Sequence, residues 1–344
     1  MTTATTRSRA LFDIPTAHQP PQDLPFVVLA GARGLGKSAV LRELWTAYRG
    51  RSPVALIDGE ETRFDRPPPD RPAASWSPVY EALSVIAEQL AEPVARAGRI
   101  AFPRLASGLL AVAAEGWRGR DLPRIRAEAE RILLLSDTGG RLAGPGGRWA
   151  GKVVDRLVAS VSHQGPVVEA IIEAALEAFT EGMSSSHRRL RRGAVWYRDY
   201  PNAGGNPKLG LALLSHHFRA SGAPRTHAER HLVRALLTDL DDAYPRAYPR
   251  AGRPVILIDN VQEAAGRRLL ETVLRDRADG LADPVAFFAA LRGQGHPALR
   301  NAARRTLPEL ARTGDWTPGR TPSSRALLVS LPPHSPDDTA PRTD

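Results

Sequence analysis

Residues 26–48 constrain the fold more than any other stretch. Phe26-Val27-Val28-Leu29-Ala30 is a short unbroken apolar run that ends in a glycine-rich turn. From Lys37 onward Val40, Leu41, Leu44, Trp45 and Tyr48 share one helical face, and Gly50 supplies a stop. An unbroken apolar strand is what a parallel sheet buried on both faces demands. The turn reads Gly31-Ala32-Arg33-Gly34-Leu35-Gly36-Lys37-Ser38 and fits G-x-x-x-x-G-K-[ST] at every fixed position. Composition alone would produce such a match in about two of every thousand chains like this one.

Each residue type in that pattern has a physical reason. Gly31 lets the strand turn sharply, and Gly34 and Gly36 tolerate positive φ and close backbone approach. The N–H groups of Ala32, Arg33 and Leu35 and the start of the next helix then point at an anion. Lys37 reaches the β- and γ-phosphates, and the Ser38 hydroxyl ligates Mg2+. The bland alternative is a glycine-rich turn. A phosphate-binding loop over residues 31–38 is the expectation.

The rest of the chain supplies the sheet. Further strands are expected at 53–58 (PVALID), at 254–258 (PVILI) capped by Asp259, at 284–291 (PVAFFAAL) and at 326–331 (ALLVSL). Between the first and second of these the apolar spacing is helical: 79–90, 105–117, 122–135, 153–161, 167–179 and 225–244. Another helix is expected from Gln262 to about Asp279, with Gly280 as its stop. The class is α/β, with a P-loop NTPase parallel sheet of about five strands built from 23–75 and 251–332, and a large, mostly helical insertion over 76–250. Residues 1–22 and 333–344 read as disordered segments.

Composition enters as a set of exclusions. Formal net charge is +10, which invites a nucleic-acid partner. Yet of the 47 Lys and Arg residues only Lys37, Lys152 and Lys208 are lysine. Together with abundant Ala, Gly and Pro, this is the codon bias of a GC-rich, bacterial genome more than a built phosphate-binding surface. With no cysteine there is no disulfide scaffold, no thiolate nucleophile and no Cys-based zinc site. The most apolar stretch, 166–183, carries Glu169, Glu173, Glu177 and Glu181 at helical spacing, so it reads as an amphipathic helix and not as a membrane span. The N-terminus has no apolar h-region, and a soluble cytoplasmic protein is expected.

A phosphate-binding loop calls for an apolar strand ending in an acid that holds Mg2+. Val255-Ile256-Leu257-Ile258-Asp259 is the better match and Val54 to Asp58 (VALID) its rival, since the latter strand follows the first helix directly. At this point the chain resembles the STAND and AAA-like branch of P-loop ATPases, including the nucleotide-binding modules of NACHT and AP-ATPase regulators. The resemblance covers roughly 23–64 and 251–332. It implies ATP and Mg2+ as ligands, a second acid after Asp259 to orient the attacking water, and an arginine closing the next strand that senses the γ-phosphate. Asn260 stands where that acid belongs, which argues against rapid hydrolysis, and Glu263 is the substitute one turn on. Arg292, closing PVAFFAALR, stands at the arginine position. The winged-helix and effector regions such proteins carry next have no counterpart before Asp344. ATP is preferred to GTP because no Asn-Lys-x-Asp occurs; Asp13–Asp23 is where related ATPases hold the adenine.

The resulting expectation is a slow Mg2+-dependent ATPase acting as a regulatory switch on an unknown protein partner. A non-hydrolysing nucleotide-bound scaffold and a nucleic-acid-dependent ATPase are the alternatives. The last of these rests on His187-Arg-Arg-Leu-Arg-Arg192 with Trp196 and Tyr197, where cationic and stacking groups interleave; a solvated loop is its plain reading. His227 and His231, four apart, have metal-ligand spacing but no third ligand. His216 and His217 read as ordinary, and Asp239, Asp241 and Asp242 as a solvated acidic helix end.

Overall fold

The computed structural model describes residues 11, 24–69, 71–95, 98–115, 122–136, 185–244, 252–281, 283–293, 295–310 and 316–331. The expected adenine segment 13–23, the helices at 153–161 and 167–179, the glutamate-bearing stretch 166–183 and the tail from 333 lie outside the described residues. The chain divides into two compact units, one of Met1–Glu60 with Gly252–Asp344 and the other of Glu61–Ala251.

The first unit is an α/β sheet structure. Its six strands are β1 (Phe26–Ala30), β2 (Val54–Asp58), β3 (Val255–Asp259), β4 (Ala286–Ala290), β5 (Ala303–Thr306) and β6 (Ala326–Ser330). All pairings are parallel, in the order β2-β3-β4-β1-β6-β5. Side chains alternate across the pleat. Val27, Leu29, Val255, Leu257, Phe288 and Ala290 join Val40, Leu41 and Leu44 of helix α1 (Lys37–Tyr48) in one core. On the other face Phe26, Val28, Ile256, Ile258 and Phe287 are equally buried. Burial on both faces is why these strands read as unbroken apolar runs.

The expectation of about five strands was one short. Ala303–Thr306 (ARRT) is partly or wholly exposed along its length and pairs only with β6, so it is an edge strand. Edge strands need no apolar run and are blunted by charge, so periodicity gave no signal there.

Among the described residues the second unit is helical: α2 (Pro78–Leu90), α3 (Pro103–Glu115), α4 (Leu122–Leu134), α5 (Ser185–Trp196), α6 (Pro207–Arg219) and α7 (Ala223–Ala243). Helix α3 is at its centre, packed against α5, α6 and α7. Residues 105–114 are buried on every side, as a helix surrounded by others must be. Glycines allow the closest approaches. A Cβ at Gly193 would lie 2.3 Å from the Pro103 carbonyl oxygen, and one at Gly210 would lie 1.9 Å from that of Tyr197. Both neighbours are backbone, so the helices would have to separate. Gly193→Ala is expected to lower stability by about 1–3 kcal/mol, read as a lower urea midpoint at unchanged slope.

Two expectations for this unit are corrected. The basic stretch at 187–192 is helical, not a solvated loop, because Leu190 and Ala194 form a buried stripe beneath the arginines. Asp239 is not part of a solvated face. Its carboxylate is buried and accepts bonds from the Arg104 and Leu105 backbone N–H groups, each at 3.0 Å, and from the Arg104 guanidinium at 3.0 Å. It thereby satisfies the free amides at the start of α3. Asp242 is exposed and completes the tie to Arg104 at 2.7 Å.

Candidate functional site

The glycine loop follows β1 and leads directly into α1. Gly31, Gly34 and Gly36 all have positive φ (147°, 86° and 77°), with Gly36 left-handed as the residue that begins the helix. A side chain at Gly31 would collide with Leu35, whose Cδ1 lies 2.7 Å from the Cβ position. The loop is wound tightly and needs its glycines. Lys37 bends back over it and donates to the Gly31 and Ala32 carbonyl oxygens at 2.9 and 2.7 Å. Ser38 lies beside Lys37 in the first turn of α1.

Strand order decides what surrounds the loop. Strands β4, β3 and β2 lie on one side of β1 and β6 and β5 on the other, so the order reverses at β1. Ligands of open α/β sheets bind outside the carboxyl ends of the strands at such a reversal. With strands about 4.8 Å apart, the ends of β1 and β3 stand about 10 Å apart, with the end of β4 between them.

Asp259 ends β3 and pairs in register with Asp58 at the end of β2. Its Oδ1 accepts the Asn260 backbone N–H at 3.0 Å. Asp58 is engaged elsewhere, accepting from Asn260 Nδ2 at 2.9 Å and from the Glu60 backbone N–H at 3.0 Å. The chain beyond β4 stays beside the glycine loop: Leu291 N–H donates to Leu29 O at 2.9 Å and Gly293 N–H to Gly31 O at 3.3 Å. Arg292 is held between them. Its backbone N–H donates to Gln262 Oε1 at 3.1 Å, and its guanidinium pairs with Glu60 at 2.5 Å.

The electrostatics show which groups are neighbours. Partial burial lowers the Lys37 ammonium pKa below the ordinary lysine value; the Asp259 carboxylate opposes that shift and the Arg292 guanidinium adds to it. Lys37 and, more than 200 residues later in sequence, Asp259 and Arg292 therefore share one electrostatic environment. Of the two rival acids, Asp259 is the one whose charge Lys37 feels most.

Glu263 occupies a different place. It is the residue preceding helix α8 (Ala264–Ala278), with extended backbone. Its Cβ packs against Gly59 at the β2 side of β3, only 2.9 Å from where a Gly59 Cβ would stand. Its carboxylate accepts from Gln262 Nε2 at 3.4 Å and so reaches Arg292 only through that glutamine. Two residues given no site role by the sequence reading, Glu60 and Gln262, contact Arg292 directly. Both sit in connections after strands, and their meeting depends on the parallel register of β2 and β3, which no local pattern announces.

The oxygen donors near the loop, the Ser38 hydroxyl and the Asp259 carboxylate, suit a hard cation that completes its shell with substrate oxygens and water. Among the described residues no group of three or more His, Asp or Glu is placed to hold a metal by itself. In the second unit His231 lies against Trp196, Tyr197 and Tyr200, with ring centroids 4.6, 5.5 and 4.8 Å away, and serves the packing. Tyr197 is fully buried, so its ring offers no face to a nucleic-acid base. Arg189 and Arg192 line, with Arg99, Arg104, Asp239 and Asp242, a cleft of about 210 Å3. Among the described residues no helix is long and apolar enough to cross a membrane.

No protein-family model matches the chain, and neither curated proteins nor solved structures give a significant match.

Proposed function

We propose that this chain is an ATP-binding P-loop protein of the STAND/AAA-like kind, a slow Mg2+-dependent ATPase that works as a nucleotide-dependent switch. One observation supports this above the rest. A lysine-bearing glycine loop stands at the reversal of a parallel sheet, and the ends of the next two strands bring an aspartate and an arginine within electrostatic reach of the lysine.

In this reading the amides of residues 32–37 cradle the phosphates, and Lys37 exchanges its two loop carbonyls for β- and γ-oxygens. Ser38 and Asp259 hold Mg2+, which when bound neutralises phosphate charge. Arg292 senses the γ-phosphate. Phosphoryl transfer asks the protein for positioning and electrostatic stabilisation more than for covalent chemistry. A protein partner of the switch, and a cytoplasmic location, belong to the same proposal.

Lys37→Ala tests it. Charge-assisted hydrogen bonds contribute about 1.5–3 kcal/mol each, and 1.4 kcal/mol is tenfold in affinity. Loss of two of them predicts MgATP binding weaker by about a hundredfold or more, read by calorimetric titration. Equal binding by wild type and variant would refute the proposal. A second reading, a nucleotide-bound scaffold that does not turn over, is favoured by Asn260, whose amide is tied to Asp58. Tight ATP binding without phosphate release would select it.

A further inference from the structure

An amide at position 260 cannot take a proton from water, and the hydrolytic reading lacks an acid there. Among the described residues of the sheet unit four carboxylates lie at this end of the sheet around Asn260. Asp259 shares the electrostatic environment of Lys37 and is assigned to the metal. Asp58 is held by Asn260 Nδ2 and the Glu60 N–H. Glu263 packs against Gly59, on the side of β3 away from β4. Glu60 differs from all three. It is half-exposed, and its Oε1 lies 2.5 Å from the guanidinium of Arg292, the group placed beside the glycine loop and sensed by Lys37. The Glu60 carboxylate is therefore held by the side chain of Arg292, whose backbone runs beside the glycine loop.

We propose that Glu60 is the catalytic base, and that its ion pair with Arg292 is the latch of the empty state. This rests on the nucleotide reading above. When ATP binds, the γ-phosphate competes for Arg292. The arginine leaves Glu60, and the freed carboxylate orients a water against the γ-phosphorus. The water oxygen bonds to phosphorus as the bond from phosphorus to the β,γ-bridging oxygen breaks. ADP leaves with that electron pair, the proton of the water passes to Glu60, and Glu60 then releases it to solvent. ADP has no γ-phosphate to hold Arg292, so the latch closes again. Ground-state pairing with Arg292 opposes catalysis, which fits slow turnover. Gln262, bonded to the Arg292 backbone, keeps the arginine at the junction throughout.

The test compares wild type, Glu60→Gln and Glu263→Gln for MgATP and MgADP affinity by calorimetry and for phosphate release under single-turnover conditions. Glu60→Gln is expected to slow phosphate release by about a hundredfold or more. It should also tighten MgATP by up to about fivefold, since an exposed ion pair need no longer be broken, while MgADP affinity stays the same. Glu263→Gln should release phosphate within about threefold of wild type. Unchanged turnover in Glu60→Gln would overturn the assignment, as would a loss in Glu263→Gln of the size expected for Glu60. Wild type that binds MgATP without any turnover would overturn it too. Wild type that fails to bind MgATP would remove the nucleotide reading itself, and this inference with it. Glu60 is half-exposed and at a strand end, so Glu60→Gln should fold; far-ultraviolet circular dichroism checks this.

Discussion

Asp283→Ala should destabilise the sheet unit by about 3–5 kcal/mol, the cost of stranding a buried charge. Arg277, in the last turn of α8, and Asp283, just before β4, form a two-pronged pair at 2.8 Å through Nε and Nη2, with side chains 2% and 1% exposed. The guanidinium also donates to the carbonyl oxygens of Leu24 at 2.9 Å and Val285 at 2.8 Å. Asp283 in turn accepts the Val285 N–H at 3.0 Å. One buried arginine therefore ties the end of a helix to the starts of β1 and β4, beneath the stacked rings of Phe26 and Phe287. Removing the carboxylate leaves the cation without its counter-charge in an apolar setting. Removing both charges does not. Arg277→Met with Asp283→Leu should therefore be more stable than Asp283→Ala alone. Urea midpoints of the two proteins decide the matter, and a double variant no better than the single one would refute the account. The pair lies at the amino-terminal end of the sheet, away from the proposed nucleotide site, so the folded fraction of Asp283→Ala should bind MgATP as wild type does if that proposal holds.

That pair marks the limit of what the sequence reveals. The strands buried on both faces announce themselves as apolar runs, and the glycine loop announces itself because its residue types are forced by positive φ and close packing. Asp259 and Arg292 are visible for a related reason: each closes an apolar run, and the carboxyl ends of such strands are where a parallel sheet exposes chemistry. Arg277, Asp283 and Asp239 follow no period. A buried ion pair joins residues through tertiary packing, and in a chain so rich in arginine no single one stands out. The edge strand Ala303–Thr306 is hidden because its stabilisation comes from backbone pairing to β6, to which side-chain polarity is indifferent. Glu60 and Gln262 are hidden because 200 residues of chain separate β2 from β3, although Asp58 and Asp259 stand side by side.

His231 should cost the helical unit stability in acid, and His231→Phe should remove that cost. His231 sits among Trp196, Tyr197 and Tyr200, and its Nε2 is buried without a hydrogen-bond partner. Burial lowers its pKa from 6.5 to about 4, helped by the charges of His227 and Arg234. Between those two values the unfolded chain holds a proton that the native state excludes. Stability then rises with pH across this window and is flat above it. At 1.36 kcal/mol per pKa unit the imidazole costs about 2–3 kcal/mol at pH 4.5 and nothing at pH 7.5. Asp239 acts in the opposite sense. Burial raises its carboxyl from 3.8 to about 7, so the native state keeps a proton that the unfolded chain releases, and stability falls as pH rises across that range. The pH profile of the whole protein sums the two, and the difference between His231→Phe and wild type isolates the imidazole. Phenylalanine preserves an aromatic ring among its aromatic neighbours and carries no unpaired nitrogen. The variant should match or exceed wild type at pH 7.5 and gain a further 2–3 kcal/mol on it at pH 4.5, about the shift expected from the linkage relation. Urea titrations at the two pH values, followed by tryptophan fluorescence, to which Trp196 packed 4.6 Å from the imidazole contributes, measure the difference. An advantage that stays the same at both pH values would show that His231 takes up its proton as readily in the native state as in the unfolded chain.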